Sequence, residues 1–202
     1  RPEAPSAPAF ELVIAPRWLV ARFSEEHVTA SWAIVGGGIR RARAVAWHEI
    51  ADRELRPPVD AAVLLARRLA ENGHHDAVGL LTSRRLETYV DVAEIDGAVA
   101  ARCIATVGLS NALRAGDPAG ASARVGTINI LCRVSAPLRP EGLLEALALA
   151  AEARALAVRE ANVPSRVSGL PSSGTGTDCI VIAAPAGGAP ARYAGKHTVI
   201  LS

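Results

Sequence analysis

Among 202 residues there is no methionine, only one lysine, and an aromatic share of 3%, although half of the chain is hydrophobic. The core must therefore be built from Ala, Val, Leu and Ile rather than from rings. The scarcity of lysine leaves nearly all positive charge on arginine, which fits a GC-rich coding sequence better than a demand for planar donors. Net charge is +2 on a mixed-sign background, and no basic run carries interleaved aromatics, which argues against a nucleic-acid surface. No apolar run approaches the roughly 20 residues of a membrane span. The opening RPEAPSAP lacks the apolar stretch of a signal peptide, and without methionine residue 1 is not expected to be the translated start. Cys103, Cys132 and Cys179 each sit in an apolar run with no CxxC pair, so they are expected to be reduced core thiols of a cytoplasmic protein. His74 and His75 stand together in GHHD, but HExxH and Cys/His ligand spacings are missing, so no metal site and no cofactor is expected.

What is present is mostly strand. FELVIA and WLVARFS read as strands, SEEH as a turn containing His27, and VTASWAIV as the next strand. The glycine triplet Gly36–Gly38 breaks the pattern before ARAVAWHEI. Ala61, Leu64, Leu65, Arg68 and Leu69 follow helical spacing, and ENG at Glu71–Gly73 stops that helix. DAVGLLT, TYVDVAEI and VAARCIATVGLS are of strand length, with Asp96–Gly97 as a hairpin turn. VGTINILCRVS is a buried strand, and the longest helix runs from Pro140 to Asn162 with proline in its first turn. DCIVIAA and TVILS close the chain as strands. The expected fold is α+β, a mixed sheet or two packed sheets of about nine strands covered by two long helices. Residues 1–9 read as a Pro/Ala-rich tail and 10–202 as one domain.

Polar groups cluster where these strands meet loops. IVGGGIRR lets backbone approach a ligand through Gly37 and Gly38 or simply makes a tight turn, and it lacks the spacing of a nucleotide fingerprint. GLLTS ends on Thr82, TVGLSNA carries Ser110 and Asn111, and GTINI carries Thr127 and Asn129. Asn129 inside an apolar run is expensive unless its amide is fully hydrogen-bonded. Three such segments suggest one cleft, although a structural asparagine accounts for the residue equally well. Glu152 is the one acid of LALAAEARALAV and is read either as solvent-facing or as a buried carboxylate, with Arg154 and Arg159 facing water. GTGTDC places Thr175, Thr177 and Asp178 at the head of an apolar strand, and YAGKH adds Lys196 and His197. Asp178 and His197 are expected to lie within reach of each other in a pocket lined by Thr177, Asn129 and Asn111.

TVGLSNA, GTINI, EARALAV, GTGTDCIVIA and YAGKHT, in this order, make the chain resemble the adenosylcobinamide amidohydrolases from about Trp18 to Thr198. The resemblance implies a corrinoid-salvage enzyme that hydrolyses the amide joining the aminopropanol arm to the corrin ring, giving adenosylcobyric acid and 1-amino-2-propanol. The cobalt then belongs to the corrinoid substrate. Amide hydrolysis needs an activated nucleophile, an oxyanion stabiliser and an acid for the leaving amine. Under that reading His197, Asp178, Thr177 and Glu152 are the catalytic candidates. Asn111, Asn129, Thr127, Thr175, Lys196, Thr82, Gly37 and Gly38 are the substrate-binding candidates. A corrinoid-binding module without turnover is the alternative. Members of the family carry small and hydroxyl residues before the glycine triplet, where this chain reads SWAIV, leaving Ser31 as the nearest hydroxyl.

Overall fold

A computed structural model describes residues 10–119 and 126–197. In chain order the elements are β1 (Glu11–Ala15), β2 (Trp18–Ser31), β3 (Gly38–Glu49), α1 (Ala61–Glu71), β4 (Val78–Thr82), β5 (Val90–Asp96), β6 (Val99–Val107), β7 (Ala112–Leu113), β8 (Ile128–Val134), α2 (Pro140–Glu160), β9 (Gly174–Thr175) and β10 (Cys179–Pro185). The main sheet runs β4-β3-β2-β10-β8-β6-β5, with β1 also paired to β2, and β7 and β9 form a separate two-stranded ladder. The expected α+β class with a mixed sheet and two helices is what the chain forms. The closing TVILS segment and the Pro/Ala head lie outside the described residues.

Two βαβ units supply the parallel pairs. β3 leads through α1 to β4, and β8 leads through α2 to β10. Each helix starts for a chemical reason. Asp60 caps α1 by accepting the amides of Ala62 and Val63 at 2.8 and 3.0 Å, and proline occupies the first turn of α2, where its missing N–H costs nothing. On β2 and β10, neighbouring residues divide between two faces. Trp18 and Val20 meet Leu65 and Leu69 of α1, and Ile180 and Ile182 meet Leu143 and Ala146 of α2. Leu19, Ala21, Val181 and Ala183 turn the other way, into the largest cluster, with Phe10, Trp47, Leu80, Ile104 and Leu131. That cluster draws from β4 at one end of the sheet and from β6, next to the other end, so the sheet is curled around it. Two side chains close the curl. Asn129 of β8 donates to the Leu81 carbonyl of β4 at 2.7 Å, and Arg102 of β6 donates to the Phe10 carbonyl at 3.1 Å.

SEEH is not a turn. β2 continues through it as one strand of 14 residues, with the pairing to β3 shifting between Arg22 and His27. Four residues of β2 stand opposite the single Arg43 there, a bulge that keeps the strand running while it bends. Its length matters, because the first half of β2 pairs β1 and the second half pairs β10. The glycine triplet is a turn between β2 and β3, with Gly36 and Gly38 at φ of 72° and 87°. β5 and β6 form the expected hairpin, Gly97 taking φ of 58° at the turn. Every residue of β5, the last strand of the sheet, is exposed. Among the described residues no helix is long and apolar enough to cross a membrane.

The bulge buries His27 completely, stacked 4.2 Å from the Phe23 ring. Its Nδ1 lies 3.0 Å from the Glu25 carbonyl, and its Nε2 accepts the Arg133 Nε–H at 3.1 Å. Only a neutral ring donating from Nδ1 satisfies both contacts. Burial lowers the His27 pKa below its ordinary value, and the Arg133 charge adds to this against the opposing pull of Glu25. His48 and His74 are lowered as well, mainly by burial. Histidines held neutral in the fold give stability that is complete above the unfolded pKa of about 6.5 and is lost as pH falls below it. Chemical denaturation across pH should show a flat unfolding free energy above about pH 7 and a decline toward about pH 5, above the range where carboxylates titrate. His27→Gln should reduce that slope.

Candidate functional site

Of the three polar segments expected to share a cleft, GLLTS and GTINI line one cavity, whereas TVGLSNA lies outside its wall. The β7–β9 ladder sets Ala112 opposite Thr175, joining TVGLSNA to GTGTD. β10 lies parallel to β8 with Cys179 opposite Asn129, which brings GTINI alongside. The Thr127 hydroxyl donates to the Thr177 carbonyl at 2.9 Å, and the Thr177 hydroxyl donates back to the Gly126 carbonyl at 3.0 Å. Gly126 is required here, since a Cβ would collide with Asn111 Oδ1 and come within 2.8 Å of the Gly108 carbonyl.

Asp178 ties the segments together. Its Oδ1 accepts the Ile128 amide at 2.8 Å and the Thr175 hydroxyl, and its Oδ2 accepts the Thr175 amide and Arg154 Nη1, both at 2.8 Å. The carboxylate is 3% exposed and the guanidinium 18%. A carboxylate offers about four lone-pair sites, so none remains free while these bonds stand. The Asp178 main-chain carbonyl accepts the Trp32 indole N–H at 2.5 Å, which anchors the arch after β2. That arch continues to Val35, whose carbonyl accepts the Gly79 amide of β4 at 2.9 Å.

Between the arch, β4 and the heads of β8 and β10 lies a cavity of about 410 Å³. Trp32, Ile34, Ile50, Leu55 and Leu80 make its apolar walls, and Thr82, Thr127, Asn129, Thr177 and Asp178 gather on its polar side. The Asn129 amide is oriented by its neighbours, with Nδ2 donating to the Leu81 carbonyl and Oδ1 lying 3.3 Å from the Thr127 hydroxyl. The Thr82 hydroxyl accepts the Arg84 amide at 3.0 Å. Cys179 also lines the wall, but burial pushes its thiol up to about 12, so it stays protonated at neutral pH.

The second polar segment goes elsewhere. His197 does not line the cavity and makes no hydrogen bond with Asp178. It is exposed and lies 5.7 Å from the Tyr193 ring. The expected Asp178–His197 contact is therefore not formed, and α2 explains why. Residues two apart on an α-helix point roughly 200° from each other. Arg154 reaches Asp178, whereas Glu152 reaches outward to Lys196 at 2.6 Å. Residues 192–197 run along this outer flank, with the Ala194 amide held by Glu145 at 2.8 Å. Glu152 is 61% exposed, so the buried-carboxylate reading fails. Asn111 is buried but outside the cavity wall, its Oδ1 without a hydrogen-bond partner among the described residues, and Thr175 serves Asp178. Gly37 and Gly38 form their turn away from the cavity wall. His74 rests on the Trp18 ring, and His75 pairs with Asp76.

Arg154 and Trp32 are the site residues that the sequence reading missed. Arg154 had been expected to face water, yet it continues the stripe Leu143, Ala146, Leu147, Ala150, Ala151 at helical spacing, and that phase is the signal of its burial. Trp32 carries no local signal, since only the fold brings it over β10.

The family model described as adenosylcobinamide amidohydrolase matches residues 5–200. No curated protein and no solved structure matches the chain.

Removing one partner of a buried ion pair leaves the other charge unpaired, at a cost of about 3–5 kcal/mol. Asp178→Asn and Arg154→Met should each destabilise the fold by about that amount in chemical denaturation. The double variant should lose clearly less than the sum, because neither charge is then stranded.

Proposed function

Because the chain belongs to the adenosylcobinamide amidohydrolase family, the hydrolases of corrinoid salvage, we propose that the arm amide of adenosylcobinamide is held and cleaved in the cavity between β4, β8 and β10. The observation that carries this reading is the meeting of GTINI and GTGTD on one side of an otherwise apolar cavity. An unstrained amide yields only if charge building on its carbonyl oxygen meets donors already in place. Asn129 fits that role. Its Nδ2 has two hydrogens, and the bond to the Leu81 carbonyl uses one.

Asp178 is a positioning residue in this scheme. All its lone-pair sites are engaged, so it serves by fixing the Thr175–Thr177 loop and the start of β8 rather than by taking a proton. A cavity of about 410 Å³ suits one appendage of the corrinoid better than the whole ring system. The ring then rests at the mouth, where Trp32 and Ile34 are about half exposed. Lys196, His197 and Glu152 lie along the outer flank of α2, away from the cleaved bond.

The protein should convert adenosylcobinamide to a corrinoid acid and an amino alcohol without nucleotide, as followed by chromatographic separation of the corrinoids. Strong chelators should leave the rate unchanged. Asn129→Ala should lower turnover by about 10²-fold or more, the loss typical of a removed oxyanion donor. His197→Ala should lower it by less than about tenfold, below the usual share of a general acid–base group. Ile34→Ser should raise KM while changing kcat little. Circular dichroism checks that each variant folds. A His197→Ala loss as deep as that of Asn129→Ala would move proton transfer to the C-terminal segment and overturn this arrangement.

A further inference from the structure

Cys103 of β6 and Cys132 of β8 stand directly opposite each other in an antiparallel pair. Opposed residues alternate between hydrogen-bonded and non-hydrogen-bonded positions, and the phase can be read at both ends of this ladder. Beyond Val107 opposite Ile128, the Gly108 amide donates to the Thr127 carbonyl at 2.9 Å. Beyond Ala101 opposite Val134, the Ser135 amide donates to the Ala100 carbonyl at 2.8 Å. Both ends put the even-numbered residues of β6 at hydrogen-bonded positions. Cys103 and Cys132 therefore form a non-hydrogen-bonded pair, where Cα atoms approach to about 4.5 Å and side chains are closest. That spacing lies at the short end of the disulfide range of about 4.4–6.8 Å.

We infer that Cys103 and Cys132 are a reversible dithiol–disulfide site that reacts with low-molecular-weight disulfides. The two thiols share the face that packs toward α2, and Cys132 is buried while Cys103 is only partly covered at the margin of that cluster. Entry is therefore ordered. The facing Cys132 thiol lowers the Cys103 pKa, while Cys103 and burial together hold Cys132 well above the usual thiol value. Cys103 thiolate attacks one sulfur of the small disulfide, forming a mixed disulfide and releasing one small thiolate. Cys132 then loses its proton to solvent, attacks the Cys103 sulfur, and expels the second small thiolate. Two protein thiols become one disulfide as one small disulfide becomes two thiols. A dithiol in excess reopens the bond by the same exchange run in reverse. Cys132 is three residues along β8 from Asn129 and on the opposite face, so the bond closes outside the cavity.

Intact mass spectrometry of the native protein treated with excess oxidised glutathione tests this. Trypsin leaves the three cysteines on separate peptides, because arginine stands at 102, 114, 124, 133, 166 and 192. Wild type should lose two hydrogens, yield a Cys103–Cys132 cross-linked peptide pair, and recover its mass with dithiothreitol. Cys132→Ser should instead hold one glutathione on Cys103, and Cys103→Ser should take up at least tenfold less. If wild type accumulates the mixed disulfide without the cross-link, Cys132 cannot resolve it and the inference falls. It falls equally if neither wild type nor Cys132→Ser reacts at Cys103, or if the cross-link involves Cys179.

Discussion

A buried carboxylate that has spent every lone pair is the constraint on which the site depends. Asp178 joins four donors from three parts of the chain: the head of β8, the end of β9, and α2. Charge removed from water is costly unless it is paired and hydrogen-bonded, so these segments have little freedom to move apart. The main-chain carbonyl of the same residue adds the arch after β2 through the Trp32 indole. One residue thus sets the positions of both a polar side and an apolar wall of the cavity.

The curled sheet makes such a meeting possible. β4 and β8 are separated by three strands in the sheet order, yet Asn129 reaches the Leu81 carbonyl. The bulge in β2 permits a long central strand to bend, so that one edge of it serves β1 and then β10. Without that continuity, the two βαβ units would lose the shared partner that lies between them. His27 is buried at this bend and is tied to Arg133 of β8. The bend is consequently coupled to the strand that presents Asn129.

Much of this architecture was legible in the sequence because its signals are local. Helical spacing identified α1, proline in the first turn identified α2, and Asp96–Gly97 identified the β5–β6 hairpin. SEEH misled because its polar composition matches a turn, and only pairing on both sides shows a bulge. The convergence of GTINI with GTGTD was readable, since both occur where a loop enters a buried strand. The expected partnership of Asp178 with His197 was not formed, because nearness along the chain says nothing about which side of α2 each segment follows. Arg154 was readable in principle from its phase on the apolar stripe, but the charge concealed the position.

The sheet has to end somewhere, and β5 is one of its ends, with an outer edge unpaired among the described residues. Such an edge is a template on which another chain could add a strand. Val90, Val92 and Ile95 make this one sticky, being half exposed or more. Asp91, Glu94 and Asp96 place three negative charges along the same short strand, and a second copy aligned there would bring like charges together. Arg102 pairs with Asp91 and leaves Glu94 and Asp96 without a salt bridge among the described residues. The acids thus work against the addition of a further strand at this edge.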